Sequence, residues 1–345
     1  MNTIKDEAGA APGTITLEEK VAFLKSPETY STSTGRVETV KTHMSWVFLT
    51  EQYVYKLKIP FRYDHMQLLT PQDRYKNCRE EVRLNKRLAD DIYLGIIPLS
   101  VDKEGRLRLG RGERITDWLV KMKRLSADRM LKHRITAAQA LSEEELKPAA
   151  RLLADFYMKA EPEAVTHKEY CQQLEEAVEH TCRELHAPEF ELQQTDLTAV
   201  CRKQLAFIRD NKGLLSSRID KGKIIEGHGD LKPDHICLSP PAVIDCLEFD
   251  KQLRILDILD DLSFLSLECE RLGSPGVGSF FMRHYIQKSG DNPPQHLINF
   301  YKSYRAAIRA LLTIRHLREQ QYRNDPKWRR KTLRYLEMAD TYLTA

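Results

Sequence analysis

The stretch His228-Gly-Asp-Leu-Lys-Pro-Asp-His235, followed by Ala242-Val-Ile-Asp-Cys-Leu-Glu-Phe-Asp250, decides how the rest of the chain is read. Two short apolar runs, Ile236 to Leu238 and Ala242 to Ile244, are joined by Ser239-Pro-Pro241 and predict a hairpin. Asp230 enters it through a loop that Gly229 and Pro233 constrain, and Asp245 falls where the second strand ends, a position that projects a side chain outward. Two acids at opposite ends of one tight hairpin can face a common point. Phosphoryl transfer needs such a pair: one carboxylate orients the attacking hydroxyl and accepts its proton, and the other holds a divalent cation on the nucleotide phosphates. The plainer alternative is that both aspartates cap turns and bond backbone amides.

Outward from the hairpin, the chain changes period. Before it, short β-branched or aromatic runs at Val37–Val40, Trp46–Leu49 and Tyr53–Leu57 predict three antiparallel strands. Thr70-Pro71 then opens a charged helix to about Ala89, and strands follow at Gly95–Val101, Leu107–Leu109 and Trp118–Met122. From Ser126 onward helical spacing dominates. Ser142-Glu-Glu-Glu145 is a capping box, and further helices are expected over 167–186, 195–217, 257–272, 278–288, 293–320 and 326–343. Residues 1–16 read as a flexible arm, 17–122 as a strand-rich front lobe, and 123–345 as a helical rear lobe carrying the catalytic hairpin at 224–250. The fold class is α+β in two lobes.

Composition limits the partners. The formal net charge is only +4, so no global field demands a polyanion, and 41% apolar residues suffice for a packed core. The first twenty residues carry charges where a secretory signal needs an apolar stretch, so a cytoplasmic, membrane-free protein is expected. Seven scattered cysteines without a C-x-x-C pair read as reduced, packed thiols. The rear helices are dense in arginine, including Arg305, Arg309 and Arg315, yet lack interleaved exposed aromatics, which argues for solvated faces and against a nucleic-acid platform.

His228 to His235 with Val243-Ile-Asp-Cys-Leu-Glu248 resembles the signature of the aminoglycoside phosphotransferases, bilobal relatives of the protein kinases, which reads H-G-D-x-x-x-x-N and then I-D-x-x-E. The resemblance covers about residues 30 to 320. It implies that His228, Asp230 and His235 form the catalytic loop, with Asp230 as the base and Asp245 as the metal-binding aspartate for an ATP-bound Mg²⁺. Asp261 resembles the acid that braces this loop from the following helix. By the same matching Lys56, with Lys58 as the spare candidate, would hold the α- and β-phosphates, and Glu81, rather than Glu80, would position the lysine.

Thr42, His43 and Ser45 occupy the phosphate-loop position without a glycine and would donate from side chains as well as backbone. Backbone groups around Val120 and Met122 would meet adenine. One position departs from the pattern: His235 stands where the family has a metal-ligating asparagine, and imidazole is a poor ligand for magnesium. His235 could instead bond Asp230, accept a softer ion such as Mn²⁺, or mark a nucleotide-binding module without efficient catalysis.

The implied reaction is therefore ATP-dependent phosphorylation of a small-molecule hydroxyl, with a protein side chain as the lesser acceptor. An anion-binding scaffold using the basic rear helices is the third reading. Gly273-Ser-Pro-Gly-Val-Gly-Ser279 imitates a P-loop but lacks the lysine and follows a helix, so it reads as a connection between helices.

Overall fold

The structure, a computed structural model, describes residues 15–31, 35–63, 66–138, 140–192 and 194–344. Most of the arm expected over residues 1–16 lies outside the described residues. The chain divides into two compact units, one formed by the chain up to Met130 with Ser239–Lys251, the other by Leu131–Leu238 with the chain from Gln252 onward.

In the first unit, helix α1 (Leu17–Lys25) starts at a capping box in which Thr16 and Glu19 satisfy each other's backbone amides. Strands β1 (Glu38–Lys41), β2 (Ser45–Leu49) and β3 (Tyr53–Lys58) form the expected meander, and a small ribbon of β4 (Arg62–Tyr63) and β5 (Met66–Gln67) leads to helix α2 (Pro71–Ala89). Strands β6 (Tyr93–Val101), β7 (Leu107–Leu109) and β8 (Arg114–Lys123) complete a six-stranded sheet of order β1-β2-β3-β8-β6-β7. All of its pairings are antiparallel.

Side-chain alternation along β3 sets the logic of the unit. Tyr55 and Leu57 enter a core with Phe48, Leu99, Leu119 and Leu24, which turns Lys56 and Lys58 to the other face. Helix α2 begins at Thr70 with a second capping box and buries Arg74, Cys78, Glu81, Asn85 and Leu88, residues that recur at helical spacing. Asp117 of β8 ties both helices to the sheet, accepting Arg74 Nε and Nη2 at 2.7 and 2.8 Å and Lys20 Nζ at 2.9 Å. Burial pushes the Cys78 thiol up to about 12.

The second unit is mainly helical: α3 (Leu131–Thr136), α4 (Glu143–Lys159), α5 (His167–Leu185), α6 (Gln194–Asp210) and α7 (Lys212–Asp220) come first. Short strands β9 (Ile224–Glu226) and β10 (Ile236–Leu238) follow; the chain then passes through β11 (Pro241–Val243) in the first unit and returns as β12 (Ile255–Asp257). Helices α8 (Ile258–Arg271), α9 (Pro275–Ser289), α10 (Gln295–Ile314) and α11 (Pro326–Thr344) end the fold. Residues 258–269 of α8 are all buried, as befits the central element of a helical layer.

Arg218 clamps this layer from within, bonding Asp257 with Nε and Nη2 and Asp291 with Nη1, each at 2.8 Å. Tyr301 and Tyr285 donate to the same two carboxylates, so neither buried acid is left to one partner.

Three sequence readings need correction. The helix expected over 195–217 breaks between Asp210 and Lys212. The one expected over 293–320 gives way at Ile314 to tight 3-10 turns. The cysteines are not all reduced: Cys182 of α5 and Cys201 of α6 form a disulfide across 19 positions. The other five are free and buried. The pairing joins two neighbouring helices, which no short Cys spacing announces. Among the described residues no helix is long and apolar enough to cross a membrane.

Candidate active site

Asp245 clusters with the first unit and Asp230 with the second. In the first unit Lys56 Nζ bridges Glu81 Oε1 at 3.0 Å and Asp245 Oδ1 at 2.8 Å. Lys58, two residues on and 0% exposed, pairs with the other oxygen of Glu81 and with Glu248. Burial alone would lower the pKa of both lysines, but the surrounding carboxylates prevail and raise them, well above the usual range for Lys56. Burial likewise works to raise Glu81, and the two lysines hold it lower. Both ammonium groups are therefore charged at neutral pH. Glu80, by contrast, pairs with Arg83 on the outer side of α2.

The Asp245 segment is fixed by groups that the sequence did not single out. Asp245 sits at φ +60°, its N–H donating to the hydroxyl of Tyr93 at 3.2 Å, and the N–H of Cys246 donates to Asn85 Oδ1 at 2.9 Å. A left-handed backbone at a non-glycine residue costs energy and persists only where its surroundings enforce it, as these bonds do. The Asp245 side chain stays 46% exposed, and a reachable carboxylate oxygen suits a hard divalent cation. Two lysines face three carboxylates here, an excess of one negative charge.

In the second unit the loop after β9 is held from α8. The carboxylate of Asp261 accepts the N–H groups of His228 at 2.6 Å and Gly229 at 3.0 Å. Gly229 adopts φ +80°, and a side chain at Gly227 would bring its Cβ within 2.6 Å of Asp261, so glycine is required on both counts. Arg305, which sequence reasoning left on a solvated face, is buried; it bonds Asp260 with Nε and Nη2, each at 2.6 Å, and donates to the carbonyl of Gly229 at 3.3 Å.

Asp230 accepts Lys232 Nζ at 2.6 Å and stands 3.8 Å from His235 Nδ1. Burial would raise its pKa, but Lys232, His235 and Arg309 together bring it below the usual value. Asp230 is thus an ionised carboxylate at neutral pH. His228 is wholly buried and accepts the Asp230 N–H at Nδ1. His235 Nδ1 meets the Asp230 carbonyl at 3.0 Å, a contact that requires a proton on Nδ1 and leaves Nε2 as the lone-pair nitrogen of the neutral ring.

The other residues expected at the nucleotide lie at the β1–β2 turn and in β8. Thr42 spends its hydroxyl on the turn, accepting the N–H of Met44 and of Ser45 and donating to the Ser45 carbonyl. Ser45 is buried, and its hydroxyl meets no partner among the described residues. Val120 and Met122 lie inside the ladder, paired with Lys56 and Val54 on one side and with Ile96 and Tyr93 on the other. A strand flanked on both sides gives its amides and carbonyls to its neighbours, so the backbone there is not open to a base. A cleft of about 760 Å³ beside α2, lined by Tyr75, Arg79, Val82, Ile96, Arg111 and Trp118 among others, contains none of the predicted residues.

No protein-family model matches the chain. It is 33% identical over 284 residues to uncharacterised proteins of Mycobacterium tuberculosis and Mycobacterium bovis, a match covering 79% of this chain and 54% of theirs. The chain thus spans about half the length of these relatives.

Among solved structures it resembles a choline/ethanolamine kinase family protein from Mesorhizobium loti, with TM-score 0.56, 13% identity and 95% of both chains covered. It also resembles a choline kinase from Cryptosporidium parvum, with TM-score 0.53, 9% identity and 94% and 95% covered. A thermostable aminoglycoside phosphotransferase mutant matches at TM-score 0.50 and 10% identity, with 90% and 95% covered. At such identities it is the course of the backbone that is shared, and the chain has the aminoglycoside phosphotransferase-like, protein-kinase-like fold.

Proposed function

We propose that the chain is an ATP-dependent phosphotransferase that moves the γ-phosphoryl group to a hydroxyl of a small-molecule acceptor in the cytoplasm. The observation that carries this reading is Lys56 Nζ held between Glu81 and Asp245 at 3.0 and 2.8 Å. A lysine fixed by a helix glutamate, next to an exposed carboxylate, is the arrangement that grips nucleotide phosphates and their metal. The kinases named above share the fold, which raises the prior without deciding the activity.

In this reading residues 17–122 serve as the nucleotide-binding lobe and 123–345 supply the acceptor side. Asp245 holds Mg²⁺, which when bound neutralises charge on the β- and γ-phosphates. Lys56 pairs the phosphates, Glu81 and Lys58 keep it in place, and Asp230, already ionised, orients the acceptor hydroxyl and takes its proton. His235 positions Asp230 through its carbonyl and gives the metal no oxygen donor, so Mn²⁺ is expected to serve at least as well as Mg²⁺. The same histidine is the one feature that favours a nucleotide-binding module without efficient turnover.

The test compares Asp230→Asn with Asp245→Asn. The first should lower ADP formation about 10³-fold or more while metal–ATP binding stays near wild type. The second should weaken metal-dependent nucleotide binding as well. Equal effects on both readouts would remove the role assignment, and nucleotide binding with no turnover under either metal would favour the non-catalytic module.

A further inference from the structure

In the second unit Tyr335 of α11 is fully buried, and three cations gather around its ring: the guanidinium groups of Arg271 and Arg309, 5.6 and 5.9 Å from the centroid, and the ammonium of Lys331 at 5.9 Å. They come from α8, α10 and α11, so the grouping is tertiary and not a stripe along one helix. Among the described residues one acid is ion-paired with them. Glu268 is buried, with one oxygen taken by Arg271 at 3.0 and 2.8 Å and the other by the Tyr335 hydroxyl.

Arg309 Nε lies 3.6 Å from that carboxylate, too far for a hydrogen bond, and it is buried with no acceptor among the described residues. The neighbouring cations on the loop side are already matched, Lys232 by Asp230 and Lys132 by Asp234 at 2.5 Å. Three cations against one carboxylate leave two positive charges over, in partly desolvated surroundings where like charges repel strongly. A solvated helix face would not hold them together.

Resting on the phosphotransferase reading above, we propose that this cluster is the acceptor subsite and that the acceptor is a small hydroxylated anion, a carboxylate or a phosphate monoester, whose acid group binds Arg271, Arg309 and Lys331. Arg305, one turn before Arg309 on α10, donates to the carbonyl of Gly229 at 3.3 Å, so the helix that carries Arg309 runs against the loop that carries Asp230, the group that receives the hydroxyl. The step balances as a simple transfer: the acceptor oxygen forms a bond to the γ-phosphorus, the bond from that phosphorus to the β,γ-bridging oxygen breaks, and ADP leaves with the electron pair. The hydroxyl proton passes to Asp230 and then to solvent. Burial first, and then repulsion from Arg271 and Arg309, brings Lys331 down to about 8, and a bound anion would relieve the repulsion.

The experiment uses the whole chain and acceptors matched except for charge. ADP release from ATP is followed with glycerate against glycerol, gluconate against sorbitol, and glycerol 3-phosphate to separate phosphate from carboxylate. Choline and an aminoglycoside represent cations. Binding of citrate without nucleotide is measured by calorimetry on wild type and Lys331→Gln. We expect acceleration by the anionic members only, and citrate binding weakened about tenfold by Lys331→Gln, with thermal stability maintained or raised because a repelled charge is removed. ATP binding should be unchanged in that variant.

Acceleration by choline or the aminoglycoside, or absence of saturable citrate binding, overturns the proposal. Saturable citrate binding without ADP release from any acceptor keeps an anion site and overturns its assignment as an acceptor subsite, and with it the phosphotransferase reading. ADP release driven by neutral alcohols would keep that reading and sink the anionic acceptor.

Discussion

The two units contain charge clusters of opposite imbalance. In the first, Lys56 and Lys58 face Glu81, Glu248 and Asp245, leaving one negative charge over on a carboxylate that is 46% exposed. In the second, Arg271, Arg309 and Lys331 face Glu268, leaving two positive charges over. A cluster that is nearly closed, with its surplus at an accessible oxygen, suits a metal–nucleotide. A cluster with surplus cations suits an anion. The difference also separates stability from binding: ions that complete each other hold the fold, and ions that do not must be completed from outside.

The largest expected effect breaks the first cluster. Lys58 is 0% exposed between Glu81 and Glu248, so Lys58→Met leaves Glu248 without its cation and should cost about 3–5 kcal/mol. The loss would appear as a lower urea midpoint at an unchanged slope. Lys56 is 13% exposed, and Lys56→Met should cost less stability while removing metal–ATP binding. A loss below about 1 kcal/mol at Lys58 would mean that the cluster is hydrated and that the contrast between the units is mistaken.

The second effect is smaller and of opposite sign. Lys331 is held below the usual lysine range by burial first, then by Arg271, Arg309 and Lys132, with Glu268 pulling the other way and Tyr335 beneath it. Between about pH 8 and its unfolded value near 10.4 the unfolded chain binds the extra proton, so this group's contribution to stability rises with pH. Lys56 and Lys58 have raised values; their contribution is complete below the unfolded value and fades only above it. From about pH 7 to 10, therefore, the stability gained by Lys331→Met should shrink toward zero, from a starting gain of at most about 1 kcal/mol given partial solvent screening. Anion binding by the wild type should weaken over the same range. A gain independent of pH, read from urea midpoints of both proteins, would refute the assignment of that ionisation to Lys331.

What the sequence made legible follows the range of the interactions. The meander, the Thr70-Pro71 helix start and the Ser142 capping box are set by neighbours within a few residues, and each appears where expected. Asp261 was also readable, through the resemblance to the phosphotransferase signature, and its carboxylate accepts the loop amides of His228 and Gly229. Tyr93, Asn85 and the burial of Arg305 were not, because each acts on a segment far away in the chain: Tyr93 meets Asp245 across 152 positions, and Arg305 meets Gly229 across 76. The Cys182–Cys201 disulfide belongs with these. The setting of Val120 and Met122 was not legible for another reason: apolar alternation identifies a strand but not whether both of its edges are occupied. Similarly, a run of rear-helix arginines is one pattern in sequence and two kinds of residue in space, Arg305 buried on Asp260 and Arg334 paired at the surface with Glu337.

The smallest expected effect is the most exacting check on the first cluster. Glu80 and Glu81 are adjacent, identical in chemistry and carried by one helix, yet helical geometry sends them to different sides. Glu81 is 0% exposed and paired with both lysines; Glu80 pairs with Arg83, three residues along the outer surface. Glu80→Gln should therefore change stability by no more than about 0.5 kcal/mol and leave metal–ATP binding as it was. Glu81→Gln strips both buried ammonium groups of a shared partner, and it should lower stability and nucleotide affinity together. If the two variants gave the same nucleotide titration, neither carboxylate would be positioning Lys56, and the excess charge at Asp245 would have to be explained without that lysine.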